Sequence, residues 1–270
     1  MQSNNVSPSF MGTMPEMYDR GMGPVMFEPY AIDQASGLPT AVGLRVLEIA
    51  AGTGQVTRQL LKRLPEDGHL TVTDLSPDML AYSQSYIDDP RIHWQIADAQ
   101  ALPFGDRTQD VVVCGFGMMF LPDKAAGYRE AYRVLKPGGV YRFSVWGSFE
   151  RNPWAGVCHH TLQSLDTENP IPFMTKPFSY HDQPEIVQAL TDAGFGRVRA
   201  DWSLKEFIAD SAGAFALAVA TGTPVLTGIM ERDGNVDRHV HAIAEAFRAT
   251  FGDHPMQSTM SALMIEAVKD

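Results

Sequence analysis

The chain reads as a doubly wound α/β domain on a seven-stranded, largely parallel sheet, and three observations carry that reading. Between Leu44 and Val145 short apolar runs alternate with stretches of helical periodicity, which is the rhythm of strands joined by crossover helices. A glycine-rich turn, Gly52-Thr-Gly54, links the first run directly to the first helical stretch. The 270 residues are 44% hydrophobic and 20% charged, enough to bury a sizeable core in one elaborated domain.

Taken in order, Leu44 to Ile49 is the first strand, and Val56, Leu60, Leu61 and Leu64 lie at helical spacing until Pro65 and Gly68 end the helix. His69 to Thr73 is the second strand. Ser76-Pro77-Asp78 supplies an N-cap serine and a proline at the first helical position, so a helix starts there and carries Met79, Leu80, Ser83 and Tyr86. Arg91 to Ile96 and Asp110 to Cys114 are the third and fourth strands. The next helix, Asp123 to Leu135, stops at Lys136-Pro-Gly-Gly139, and Val140 to Trp146 is the fifth strand. Phe149 to Ser179, with Pro153, Pro170, Pro172 and Pro177, reads as an irregular insertion. A helix follows over Gln183 to Ala193, capped by Gly194. Sixth and seventh strands fall near 197–204 and 258–268, with helices between Ala209 and Phe251. The expected organisation is a Met-rich N-terminal helical lid over 1–40 and an α/β domain over 41–270, with substrate-covering insertions at about 149–182 and 205–257.

Composition narrows the function. Lys+Arg 21 against Asp+Glu 32 gives a net charge of −11, which repels a phosphate backbone and disfavours nucleic acid as a partner. Two cysteines, Cys114 and Cys158, are too few for a disulfide framework or a cysteine-based metal centre. No apolar stretch approaches the roughly 20 residues of a membrane span, and no basic-then-apolar order opens the chain. The expectation is a cytoplasmic protein, monomer or homodimer, with no metal, no membrane partner and a small-molecule substrate.

The chemistry concentrates in Val46-Leu-Glu-Ile-Ala-Ala-Gly-Thr-Gly-Gln55, where backbone N–H groups can approach a ligand closely. A dinucleotide site also wants glycines here and an acid about 20 residues on, which Asp74 supplies. That fingerprint, however, needs Gly or Ala where Thr57 stands, and Glu48 beside the turn suits a cationic ligand better than a pyrophosphate. Each feature also has a structural alternative. A glycine turn alone is common scaffolding, Asp74 alone could cap the following helix, and Asp98 alone could be a turn residue.

Taken together, these blocks resemble the class I S-adenosylmethionine (SAM)-dependent methyltransferases, whose seven-stranded Rossmann-like sheet is the fold expected here. Glu48-x-Ala50-x-Gly52-x-Gly54 looks like the family's first motif, with Ala50 in place of its usual first glycine. Asp74 looks like the ribose-binding acid, and Ala97-Asp98-Ala99 followed by Leu102-Pro-Phe104 looks like the adenine-edge motif. Asp110 to Phe120 and Arg133-Val-Leu-Lys-Pro-Gly-Gly139 resemble the fourth-strand and post-helix blocks. Leu217 to Pro224 and Phe251 to Met260 resemble the cover helices and last strand of a small-molecule group within the family.

The resemblance implies SAM as cofactor and S-adenosylhomocysteine as product. It implies that Asp74 accepts the ribose hydroxyls, that Asp98 accepts the adenine amino group, and that the Ala99 N–H faces a ring nitrogen. Leu75, Met79 and Leu102 would cover the adenine, with core packing an equal alternative for Leu102. Backbone at Gly52, Thr53 and Gly54 and at Cys114, Gly115 and Phe116 would hold the methionine end, while Tyr18 and Tyr30 would close over its carboxylate. A side chain at Gly52 or Gly54 is expected to block the cofactor more than it harms the fold. Close relatives often carry Gln at position 115, so Gly115 would enlarge the space beside the methyl group.

The implied activity is methyl transfer to a small, apolar or aromatic acceptor at O, C or N. The alternative is an enzyme of this fold that catalyses cyclisation, rearrangement or dehydration without methyl transfer. The Asn/Asp-Pro-Pro-Tyr/Phe sequence for planar nitrogen acceptors is missing, as are the metal-binding acids of the catechol group and the thiols of arsenic methyltransferases. His159 and His160 are candidate general bases, with a packing or surface role as the alternative for each. On an extended segment only one of the two would face a pocket. Trp146, Trp154 and Phe173 suggest an aromatic wall.

Overall fold

The computed structural model describes residues 13–270, in which seven strands form a single sheet of order β3-β2-β1-β4-β5-β7-β6. The strands are β1 (Arg45–Glu48), β2 (His69–Asp74), β3 (Ile92–Ile96), β4 (Gln109–Gly115), β5 (Leu135–Trp146), β6 (Arg197–Ala209) and β7 (Met256–Val268). The pairings β1–β2, β1–β4, β2–β3 and β4–β5 are parallel, while β7 runs antiparallel to β5. Strand order reverses between β1 and β4, and an open α/β sheet presents its ligand crevice at such a switch point, outside the strands' carboxyl ends. Among the described residues, no helix is long and apolar enough to cross a membrane.

Contacts divide the chain into two compact units. The larger holds residues 28–147, 179–203 and 261–270, and therefore the Gly-rich turn and the motif-bearing ends of β1, β2, β3 and β4. Both faces of its sheet are covered, so β1 and β4 are continuous apolar runs, with Val46, Val111 and Val113 packing one face beneath α2 (Glu28–Ser36) and α3 (Gln55–Leu61). Tyr128, Tyr141, Phe143 and Phe195 pack as a ring cluster elsewhere in this unit. Helix α4 (Pro77–Tyr86) starts where expected, the Ser76 hydroxyl accepting the Met79 N–H and Pro77 occupying the first turn. Helix α5 (Lys124–Val134) is capped by the Asp123 carboxylate on the Ala126 N–H. It passes straight into β5, which starts five residues before the Val140 expected; Pro137 to Gly139 are absorbed as an irregularity opposite Gln109–Val111 instead of preceding the strand.

The smaller unit takes the described residues through Phe27, 148–178 and 204–260. It contains α1 (Met14–Met22), α6 (Pro153–Leu165), α7 (Thr175–Phe178), α9 (Ala212–Gly222), α10 (Val225–Met230) and α11 (Val236–Phe251); α8 (Gln183–Asp192) belongs to the larger unit. Helix α9 can be almost all Ala, Gly and Val because it is packed by both α1 and α11. A Cβ at Gly222 would come within 2.7 Å of the Tyr18 backbone nitrogen, and one at Gly21 within 2.3 Å of the Ala218 Cβ, so the α1–α9 crossing requires both glycines.

Two expectations change. The stretch after β5 is helical: Pro153 sits in the first turn of α6, where its missing N–H costs nothing, so it begins a helix in place of breaking one. The N-terminal segment divides at Phe27, with Tyr30, Ala31, Gln34 and Ala35 of α2 buried in the sheet-bearing unit. Residues 1–12 of the expected lid lie outside the described residues.

Candidate cofactor and active site

The turn after β1 takes its shape from unusual backbone. Ala50, Gly52 and Gly54 have φ of 53°, 57° and 82°, a left-handed region that glycine enters freely and alanine only at a cost. The two glycines then do different work. A Cβ at Gly52 would have nothing within 4 Å, whereas one at Gly54 would lie 2.3 Å from Ser83 Oγ and 2.7 Å from Ile87 Cδ1. Gly52 therefore leaves open space beside the turn. Gly54 is demanded by packing against α4, which corrects the expectation that a side chain there would harm binding more than the fold.

Glu48 ends β1 with a side chain 1% exposed. The Thr57 hydroxyl donates to its Oε2 at 2.6 Å, and Oε1 has no partner. Burial pushes this carboxyl up to about 8, against the help of the Thr57 hydrogen bonds. Thr53 Oγ1 on the same turn is likewise buried without a partner. Asp74, at the end of β2, accepts the Gly52 N–H on Oδ2 at 2.7 Å and the Ser76 N–H on Oδ1 at 2.8 Å. Burial raises its carboxyl above the usual range, opposed by those same N–H groups. The Leu75 N–H also favours its ionised form, and a carboxylate with about four accepting sites retains capacity beyond these three amides.

Apolar surface flanks Asp74. Leu75 is 65% exposed, Ile96 lies opposite Asp74 in the β2–β3 register and is 55% exposed, and Met79 is half-buried. Leu102, by contrast, is buried, in keeping with its core alternative. After β3, the Asp98 carboxylate accepts the Gln100 backbone N–H at 2.8 Å, and the Ala99 N–H has no partner among the described residues.

The fourth strand ends differently from expectation. Cys114 is fully buried, its thiol raised by burial and approached by the N–H groups of Gly117 and Met118. The space a side chain at Gly115 would need is filled by Val56, whose Cγ2 would lie 2.5 Å from it. Gly115 is thus a packing requirement of α3 and not a widening of the methyl pocket. Phe116 (φ 58°) donates its N–H to the Ser144 carbonyl at 3.2 Å, so that amide is engaged within the sheet. Its ring stacks on Trp146 at 4.0 Å, and Tyr30 meets both rings edge-on at 5.5 Å. Tyr30 is fully buried with its hydroxyl directed to the Ser203 carbonyl at 3.3 Å, which makes it a core residue and not a gate. A cleft of about 250 Å³ in the same unit, beside the Arg142–Glu266 ion pair, is lined by none of the residues expected at the site.

The remaining candidates belong to the smaller unit. Tyr18 on α1 stacks on Phe27 at 4.9 Å. His159 and His160 are neighbours on α6, so their side chains diverge by about 100° of helix rotation, not by the half-turn of an extended segment. His159 is 7% exposed, stacked on Phe149 at 4.9 Å with Nδ1 unpartnered, and burial followed by the His160 charge lowers its pKa. His160 is exposed. Sequence reading missed Thr57, Ile96 and Gln100. Thr57 stood out only as the residue that breaks the dinucleotide fingerprint, whereas its hydroxyl is what holds the buried Glu48.

These residues fit SAM. The open space at Gly52, the partnerless Glu48 Oε1, the accepting capacity of Asp74, the exposed Leu75 and Ile96 and the unpaired Ala99 N–H supply acidic, apolar and donor groups suited to a sulfonium amino acid joined to a nucleoside. When bound, SAM supplies a methyl group already activated by sulfonium. The chain's own part is to hold the cofactor, exclude water and orient an acceptor.

Comparisons with known proteins agree. Residues 46–139 match a methyltransferase domain model. The chain is 34% identical over 172 residues to the ubiquinone/menaquinone biosynthesis C-methyltransferase UbiE of Chromobacterium violaceum, covering 58% of this chain and 68% of that protein. UbiE of Shewanella halifaxensis is 30% identical over 192 residues, covering 64% and 73%. Solved structures share the fold: the YcgJ protein of Bacillus subtilis at a TM-score of 0.58 with 19% identity, covering 89% of this chain and 98% of that one. A Haemonchus contortus phosphoethanolamine N-methyltransferase 2, bound to phosphomonomethylethanolamine and S-adenosylhomocysteine, gives 0.58 with 17% identity, covering 94% and 57%. The glycine turn, the strand-end acids and these relatives converge: the chain belongs to the class I S-adenosylmethionine-dependent methyltransferases.

Proposed function

We propose that this methyltransferase acts on a small apolar or aromatic acceptor. The observation that carries the proposal is the similarity to relatives named for ubiquinone and menaquinone biosynthesis, since a quinone ring is flat and apolar. The rings of the smaller unit, Trp154, Phe178, Phe207 and Phe215, are buried against one another as its core, and Phe149 joins Phe178 to His159. Two relatives matched by sequence are named as C-methyltransferases, which favours carbon as the accepting atom. Of the two histidines, His159 is the buried one and its Nδ1 is unpartnered, so it has a sheltered ring nitrogen with which to take a proton from an acceptor. No specific observation favours cyclisation or rearrangement without methyl transfer.

The test is incubation with methyl-labelled SAM and a panel of phenols, quinols and apolar carbon acids, read by mass spectrometry. Label is expected in an apolar or aromatic product and lost in Asp74→Ala, whose SAM affinity should weaken by about 1.5–3 kcal/mol in calorimetry. Label appearing only in polar aliphatic acceptors would overturn the acceptor class. Unchanged SAM affinity in a folded Asp74→Ala would remove Asp74 from the cofactor site.

A further inference from the structure

The Asp98 carboxylate, read above as the contact to the cofactor's base, is not left to turn freely. Oδ1 accepts the Gln100 backbone N–H at 2.8 Å and Gln100 Nε2 at 3.1 Å, and Oδ2 accepts from the same Nε2 at 3.3 Å. Gln100 is itself fixed from the other end, its Oε1 accepting the backbone N–H of Asp123, the residue that caps α5. Helix α5 grips the same loop again about two turns further along. Glu130 accepts the Leu102 N–H at 2.6 Å, while Arg133, held by Glu130, donates to the carbonyls of Leu102 at 2.9 Å and Phe104 at 2.7 Å. A carboxylate on a loop otherwise rotates broadly about its last torsion. Here a side-chain amide locks that rotation to a rigid helix.

We propose that Gln100 is a positioning residue for the cofactor's base, holding the Asp98 carboxylate as a fixed acceptor that welcomes the 6-amino group of adenine and rejects a base with an oxo group there. The inference rests on the reading of Asp98 as the adenine contact. What faces the 6-position of the base is an acceptor, the Asp98 carboxylate. An amino donor satisfies the carboxylate, whereas a carbonyl oxygen faces it with a second acceptor and leaves it unpaired. Fixing the carboxylate sharpens that difference, because a freely turning one can swing away from the wrong base and recover solvent.

The experiment compares S-adenosylhomocysteine with its inosine analogue by calorimetry on the full chain. The native protein is expected to prefer the adenosine form roughly ten- to hundredfold. Gln100→Leu should narrow that ratio by about three- to tenfold, and Asp98→Asn should narrow it at least as far. In the double variant, Gln100→Leu should add nothing to Asp98→Asn, because Gln100 acts only through Asp98. A merely structural role would weaken both ligands alike and leave the ratio unchanged. Gln100→Glu, which keeps the length but sets a carboxylate against Asp98, is the second variant should Gln100→Leu fold poorly, and it should narrow the ratio too. If Asp98→Asn narrows the ratio and the Gln100 variants do not, the inference is overturned while the site reading stands. If Asp98→Asn leaves the ratio intact, the adenine assignment falls and takes the inference with it.

Discussion

Glu48 shows what a single buried carboxyl does to this protein. Its pKa in the fold, about 8, lies above the ordinary glutamate value of 4.5, so between those values the native state holds a proton that the unfolded chain releases. The sign follows from linkage: the stability tied to the neutral carboxyl is fully present below about 4.5 and is lost as pH rises through about 8. Glu48→Gln keeps the shape and removes the titration. Urea unfolding of the cofactor-free protein should therefore show the native chain losing stability relative to Glu48→Gln from pH 5 to 8, by on the order of a few kcal/mol. Parallel pH profiles would mean that Glu48 is solvated in the fold.

Strand-to-helix connections set the next scale, and the Gly-rich turn between β1 and α3 is the clearest case. Gly52 and Gly54 look equivalent in a motif but answer to different neighbours, one to open space and the other to α4. Gly54→Ala forces a methyl group into Ser83 and Ile87 at a left-handed residue, so it is expected to lower stability by roughly 2–4 kcal/mol. Gly52→Ala carries only the left-handed penalty of about 1–2 kcal/mol. It should instead weaken SAM at least tenfold, by placing a methyl group in the space beside the turn. Chemical denaturation and calorimetry on the two variants separate the effects. Equal loss of stability in both, with SAM affinity unchanged in Gly52→Ala, would refute the division.

Across the whole molecule, the two contact units differ in content: one holds the residues expected to bind the cofactor, the other the aromatic cluster and α1. Because Gly21 and Gly222 bring α1 and α9 into backbone contact, α1 cannot slide over α9 without separating from it. Any ordering of the expected N-terminal lid should accordingly involve both helices. Hydrogen exchange over residues 14–27 and 212–222 is expected to slow together on adding S-adenosylhomocysteine. Slowing in α1 alone would show that it moves independently of α9, and no change in either would make α1 a fixed packing element.

The sequence by itself determined the strand–helix alternation, the N-cap at Ser76 and the placing of Glu48, Asp74 and Asp98 at or just beyond the ends of β1, β2 and β3, while the cofactor class came from the resemblance those blocks carry. Those features are local: apolar periodicity, capping chemistry and turn glycines act within a few residues of where they are written. Tertiary structure alone decided why Gly54 and Gly115 are glycines, that Tyr30 is core, that Thr57 holds Glu48 and that Gln100 binds Asp98 to α5. Each of those depends on a neighbour brought in from a different element, such as Ser83 on α4, Val56 on α3 or the Asp123 N–H at the start of α5. The insertion after β5 shows the same limit from the other side. Its prolines are compatible with a break or a beginning, and the packing of Trp154 and His159 into the aromatic cluster is what decides for Pro153 in the first turn of a helix.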